Sequence, residues 1–459
     1  MSAPSDAVSA SRRRDAGNSA GVLTLKFSIV GLILSVDQML LPMFHIFRSP
    51  YKISYLLLGL WALYRVAYPQ PGLDRGTQRD FLRFSALIAG IVICALLGEA
   101  WLALNHPVLT YTETLRSVQL YVLIVLAFGL GQSARAFKLN WLVWLVYAYI
   151  FLSLLFIYGR QYLPTALIDF YYPPWAFESR RFGDYGFLTN ISFVNLDRPR
   201  GLFGNPNNSA LQMNVISLFI YLALRNGLLR ISSTCVAAGI VVLPLVITVS
   251  LGSIGEAVSS AVLAIGHVHL LFWQNSGPLK RFAIVAVLAL STGGFIGWFV
   301  QVQDVDANTF TYNLNRIISV ADTYNKLVEA GAVSGSKARG FARPLLTFDV
   351  AYERFKFSPV FGSGFSASAS GAEPFGDTRY FHNDWFYVAV TSGIIGLICM
   401  LWIVIKYCLP LGIVALLPFV ISGTTNTLLL SIPTVIFYFF MVGVLREKLR
   451  RVAAGGSPG

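Results

Sequence analysis

Residues 379–386 read RYFHNDWF, and residues 387–405 continue YVAVTSGIIGLICMLWIVI. The second string contains no Asp, Glu, Lys or Arg and approaches the roughly 20 apolar residues that an α-helix needs to cross a bilayer. It therefore reads as a membrane span. The histidine, asparagine and aspartate before it stand at its mouth. The rest of the chain has the same character: 55% of residues are hydrophobic and 12% charged, against about 25% charged in soluble domains. The fold class expected is an all-α integral membrane protein with many spans.

Apolar runs of sufficient length number about twelve: residues 27–47, 52–68, 82–104, 117–134, 139–158, 209–225, 233–252, 256–273, 282–300, 384–405, 409–424 and 428–445. No internal repeat is evident. Pro42, Pro244, Pro410, Pro418 and Pro433 within the runs predict kinks. Residues 1–24, small, polar and basic, are expected to be a disordered cytoplasmic tail. The apolar run after Arg12–Arg14 is too long for a cleaved signal. The division is then 25–158 for the first helices, 159–208 for a first long loop and 209–300 for the central helices. A second long loop at 301–383, terminal helices at 384–445 and a cytoplasmic tail at 446–459 complete it.

With the N-terminus inside, the short cytoplasmic connections carry Arg75, Arg79, Arg135, Lys138, Arg225, Arg230, Lys280, Arg281 and Lys406, and the tail reads REKLRR. That is the positive-inside pattern. It accounts for the net charge of +13 and argues against a nucleic-acid partner. Both long loops fall on the opposite side, where they can share one site. Cys94, Cys235, Cys399 and Cys408 lie in or beside apolar runs without metal-ligand spacing, so neither disulfides nor zinc are expected.

The first loop ends DRPRGLFGNPNNSALQ. Gly201 and Gly204 suit tight turns, and Asn205 and Pro206 signal a turn before a helix. Asn207 or Asn208 is expected to cap that helix. Arg198 and Arg200 lie just upstream, with Arg180 and Arg181 earlier. Guanidinium forks match phosphate oxygens, although contacts with lipid headgroups or solvent would explain the same charges. In the second loop, residues 344–357 have helical character, with Leu345, Phe348, Tyr352 and Phe355 on a face expected to pack on the membrane domain. GSGF at 362–365 lacks the strand–helix setting of a phosphate loop and reads as a turn. His382, with an ordinary pKa near 6.5, is the histidine placed to act as a base; a plain interfacial residue is the competing reading. Glu99 and Glu256 are expected at water-exposed span ends. Asp37 lies deeper, with no role legible.

RPRGLFGNPN before a span resembles the R-x-x-G-x-F-G-N-P-N signature of the O-antigen ligase and O-antigen polymerase superfamily. Arg343, PVFGSGF and HNDWFYVAVTSGIIG resemble its second hallmark, so the likeness covers about residues 195–405. Arg343 is one position out of register. Ser253–Ile254–Gly255 stands where many relatives read S-R-G, so Arg200, Arg181 or Arg379 is left to replace that arginine. The resemblance implies a C-type glycosyltransferase of the bacterial inner membrane, active on the periplasmic side without metal or cofactor. Its substrates would be an undecaprenyl-diphosphate-linked oligosaccharide donor and a glycan acceptor. It implies His382 as catalytic base, Arg198, Arg200 and Arg343 on the diphosphate, and Gly201, Gly204, Asn205, Pro206, Asn207 and Asn383 as motif residues. A chain-length regulator protein would be a partner. Polymerisation of O-antigen or exopolysaccharide repeats is the favoured activity, and ligation of finished glycan to lipid A–core the alternative. A transporter is the third reading, disfavoured because the polar residues gather in two same-side loops and the chain's halves do not match.

Overall fold

The long apolar runs fold as α-helices, the one single-segment arrangement that satisfies every backbone N–H and C=O inside hydrocarbon. The structure, a computed structural model, describes residues 5–42, 44–46, 49–67, 75–105, 111–159, 162–171, 202, 206–251, 254–273, 277, 286, 351–352, 354–366, 383–422, 428–429 and 431–455. The helices are α1 (Ser5–Met39), α2 (Ile53–Ala67), α3 (Arg75–Asn105), α4 (Tyr111–Ser133), α5 (Asn140–Tyr158), α6 (Thr165–Tyr171), α7 (Pro206–Arg225), α8 (Thr234–Leu251), α9 (Ile254–Val268), α10 (Asp384–Ile403) and α11 (Ile432–Ala453). A short antiparallel hairpin, β1 (Phe44–Ile46) with β2 (Ser49–Tyr51), joins α1 to α2.

Among the described residues five stretches are long and apolar enough to cross a membrane: Gly21–Met39, Arg75–Leu104, Thr114–Ser133, Gly255–Trp273 and Asp384–Leu411. Shorter apolar helices cover Ile53–Ala67, Asn140–Phe156 and Thr234–Thr248. The architecture is that of a helical membrane protein. It differs from the sequence expectation in several places: the span expected over 27–47 ends at Met39 and a hairpin follows, and α11 continues to Ala453 through the start of the expected tail. Helix α1 begins at Ser5, inside the stretch expected as a disordered tail; its alanines and arginines are good helix formers. Residues 409–422, expected as a span kinked at its prolines, form short 3₁₀ and π turns instead. Pro410, Gly412 and Pro418 deny this stretch a continuous α-helical ladder. The expected span at 282–300 lies outside the described residues, apart from a single helical residue at 286.

Two close helix pairs organise the bundle, α4 with α11 and α3 with α10. In the first, glycines let the backbones touch. A Cβ on Gly131 would lie 2.1 Å from the Phe440 carbonyl oxygen, and one on Gly443 would lie 2.4 Å from that of Phe128. Small residues at a crossing are the means by which helices associate in lipid, where apolar burial gives little drive. Between α3 and α4, Phe84 stacks on Phe128 at 4.1 Å, and the Tyr407 ring meets both edge-on.

The helix ends separate by chemistry. At one end, Asp80 of α3 accepts from Arg446 (3.0 Å) and Arg450 of α11. There Glu447 pairs with Arg135 (3.1 Å) and accepts from Thr77 (3.0 Å). Tyr407 donates to the Asp80 carbonyl, and Arg225 at the end of α7 abuts Gly412. At the other end lie Glu99, the beginning of α10 and the turn at 362–365. Asp80 and Glu99 are separated along α3 by roughly 28 Å at 1.5 Å per residue, about the thickness of a bilayer core.

Candidate functional site

The end of the bundle away from the arginine cluster is organised around the mouth of α10. Asn383 caps that helix: its Oδ1 accepts from the backbone N–H of Trp385 (2.9 Å) and of Phe386 (3.2 Å). Asp384, the first helical residue, is buried, and its two carboxylate oxygens accept from the N–H groups of Leu428 and Leu429, each at 3.0 Å. Trp385 donates from its indole to the Phe419 carbonyl at 3.0 Å. The residues that follow His382 are thereby pinned from three directions. Cap, carboxylate and indole together fix where the chain enters the membrane.

A second device lies below this mouth. Helix α10 is broken at Gly393, whose φ of 64° and ψ of −163° suit glycine alone. The turn at 362–365 fills the break. Ser363 N–H donates to the Val390 carbonyl (2.7 Å), Gly364 N–H to that of Thr391 (3.1 Å), and Ile394 N–H to that of Pro359 (2.9 Å). Gly362 and Gly364 have φ of +80° and +83°, and Gly98 of α3 leaves the space they occupy. GSGF is thus a turn, as its sequence setting implied. Its amides at Gly362, Ser363 and Gly364 are bonded to protein carbonyls, so they do not form a phosphate cradle.

Glu99 and Glu256, expected in water at span ends, are instead buried. Glu99 accepts from Ser366 N–H at 3.0 Å and from Thr114 Oγ1 at 2.9 Å, tying the turn to α3 and α4. Glu256 accepts from Asn214 Nδ2 of α7 at 2.6 Å. Burial near a span end is tolerated because each carboxylate finds at least one fixed donor. Asp37 also acquires a role. Its Oδ2 accepts from Ser54 N–H at 2.6 Å, capping α2 from a neighbouring element, while Lys52 donates to the carbonyls of Asp37 and Leu41. Burial pushes the Lys52 ammonium down to about 8, and the Asp37 charge partly restores it.

Of the residues singled out in the sequence, His382, Arg198, Arg200, Arg343, Gly201, Gly204 and Asn205 lie outside the described residues, as do Arg180, Arg181 and Arg379. Pro206 is the first residue of α7, the position where its fixed φ and missing N–H cost nothing. Asn207 and Asn208 consequently lie in the first turn of α7 rather than at its cap. The apolar face expected over 344–357 is also displaced where it is described. Tyr352 is half exposed, with Lys356 4.8 Å from its ring, whereas Ala351 and Arg354 are buried.

Sequence reading missed three polar side chains here. Arg354 is 1% exposed, and burial pushes its guanidinium down to about 10, leaving it a cation at neutral pH. Gln212, two turns into α7, is fully buried, and neither amide atom has a hydrogen-bond partner. The Tyr121 hydroxyl on α4 is buried without a partner, beside Tyr387 and Asp384 and against the Phe365 ring at 5.8 Å. Apolar runs conceal Gln212 and Tyr121, because nothing in a sequence window tells a lipid-facing position from an inward one. Since α7 ends at the arginine cluster, its first turn lies at the other end, the one where α10 begins. Compared with known proteins, the chain matches no family model, no curated protein and no solved structure.

Proposed function

We propose that the chain is a membrane glycosyltransferase that polymerises undecaprenyl-diphosphate-linked repeat units of O-antigen or exopolysaccharide on the periplasmic face. The observation that carries this reading is the shared end of α7 and α10, the helices opened by RPRGLFGNPN and by HND. In this reading the arginines that precede one helix and the histidine that precedes the other serve one site. His382 is the proton acceptor in it, while Glu99 and Asp384 are tied to backbone N–H groups.

In this mechanism the acceptor sugar hydroxyl attacks the anomeric carbon of the donor glycan. The new C–O bond forms as the bond to the lipid diphosphate breaks, and the electron pair leaves with the diphosphate. His382 takes the hydroxyl proton, a contribution of about 10²–10⁴-fold. Arg198, with Arg200 and Arg343, stabilises the charge growing on the diphosphate, typically the largest catalytic effect. In-line attack inverts the anomeric centre.

The test is transfer in vitro from a defined undecaprenyl-diphosphate oligosaccharide, with a second donor or lipid A–core as acceptor. Elongation of the second donor is expected; glycan appearing on lipid A–core alone would make the chain a ligase. His382→Ala should abolish transfer while donor binding persists, and Arg198→Lys should impair it severely. Wild-type turnover in both variants would remove the assignment. With His382 as base, the rate should fall as pH drops below about 6.5. A flat profile down to pH 5 would point to another group.

A further inference from the structure

The arginine-rich end of the bundle contains a pair of donors that the glycan-transfer reading does not use. On α2, Trp61 and Arg65 are one turn apart and so share a face. Trp61 is 7% exposed, its ring lies edge-on to Phe27 of α1 at 6.4 Å, and Gly129 of α4 makes room for it. Its indole N–H is buried without a hydrogen-bond partner, and so is Nη1 of Arg65. Arg135, in the connection after α4, is close enough to Arg65 for the two positive charges to repel.

Two buried, unsatisfied donors on one face, next to a second guanidinium, are costly unless an anion meets them. The two acids nearest at this end are already paired with other arginines. Arg135 Nε and Arg451 pair with Glu447, while Arg446 and Arg450 pair with Asp80. Neither acid is paired with Arg65. The opposite face of α2 exposes Leu56, Leu60, Leu63 and Val66, and α1 exposes Val22, Leu25 and Ile29 beside it. An unmet cation near the end of a helix whose outer side is apolar suits a ligand with acyl chains and a phosphate.

We infer that this corner is a headgroup site for an anionic phospholipid, with Trp61 Nε1 and Arg65 donating to the phosphate and Arg135 adding positive charge. The site is independent of the glycosyltransferase reading. An indole N–H and a guanidinium fork can share the non-bridging oxygens of one phosphodiester. The occupant is a bilayer lipid of the leaflet facing the arginine cluster, bound at the rim rather than in the site at the mouth of α10.

The test uses the full-length protein in detergent with added phosphatidylglycerol, phosphatidylcholine or inorganic phosphate. Bound lipid is counted by native mass spectrometry, and thermal unfolding is followed in parallel. Wild-type protein is expected to retain phosphatidylglycerol over phosphatidylcholine and to unfold at higher temperature with it. Arg65→Gln and Trp61→Phe should each weaken retention by about tenfold, the scale of a charge-assisted hydrogen bond. Trp61→Phe keeps an aromatic ring against Phe27, so it reads the lost N–H even if Arg65→Gln folds poorly. Lys138→Gln, at an exposed lysine on the same connection, should leave retention unchanged. Equal retention in all three variants, an equal loss with Lys138→Gln, or the same thermal shift from inorganic phosphate would each overturn the site.

Discussion

Asp384 shows how one residue's position outweighs its type. A carboxylate beside a histidine at a helix mouth invites a catalytic role, yet both its oxygens accept from the backbone of the segment preceding α11. Asp384→Ala would strand two buried N–H groups, at about 1–3 kcal/mol each. The expected result is a marked fall in the unfolding temperature in detergent, with Asp384→Asn less severe because it keeps one acceptor. Gln212 is the converse case, a buried amide with nothing to bond. Gln212→Leu should raise the unfolding temperature, since a dry side chain replaces an unsatisfied one. If Gln212 faces the donor glycan, the same change should lower transfer; a variant that is both more stable and fully active would show that it does not.

At the scale of elements, the fold depends on glycines that allow close backbone approach. Gly393→Ala places a Cβ 2.3 Å from the Val360 carbonyl oxygen at a φ of +64°. The backbone strain alone is about 1–3 kcal/mol, and the docked turn must also move. Thermal unfolding should shift down by many degrees. Gly59→Ala on α2, where an added Cβ meets nothing within 4 Å, should be neutral or slightly stabilising because alanine is the better helix former. If the two variants behave alike, the interlock between α10 and the GSGF turn is not what holds the two together. The turn was legible in GSGF, but its partner was not. TSGIIG reads as ordinary span, and only packing against residues 358–364 explains why its helix is interrupted.

For the whole molecule, the question is which end faces the cytoplasm. The arginine cluster formed by Arg135, Arg446, Arg450 and Arg451 lies at the end that the positive-inside pattern assigns to the cytoplasm. Cys235, the second residue of α8, follows the connection from Arg225 and is exposed, whereas Cys94 and Cys408 are buried and Cys399 half-buried. A membrane-impermeant maleimide should therefore label the protein through Cys235 in inside-out vesicles and not in intact spheroplasts. The reverse pattern would invert the topology and put the mouth of α10 in the cytoplasm, where the lipid-linked glycan reading fails.

Hydrophobicity along the chain determined by itself that this is a helical membrane protein, and it located most of the described helices, because a span must satisfy its backbone internally wherever it occurs. Local residue chemistry likewise marked the Asn383–Asp384 helix start and the GSGF turn. Tertiary structure alone decided what the buried polar groups do. Glu99, Glu256 and Asp37 differ little in sequence setting from charges in water, and their partners Ser366, Asn214 and Ser54 lie far away along the chain or on another helix. A hydrogen bond requires two atoms about 3 Å apart, and only the folded bundle determines which residues come that close.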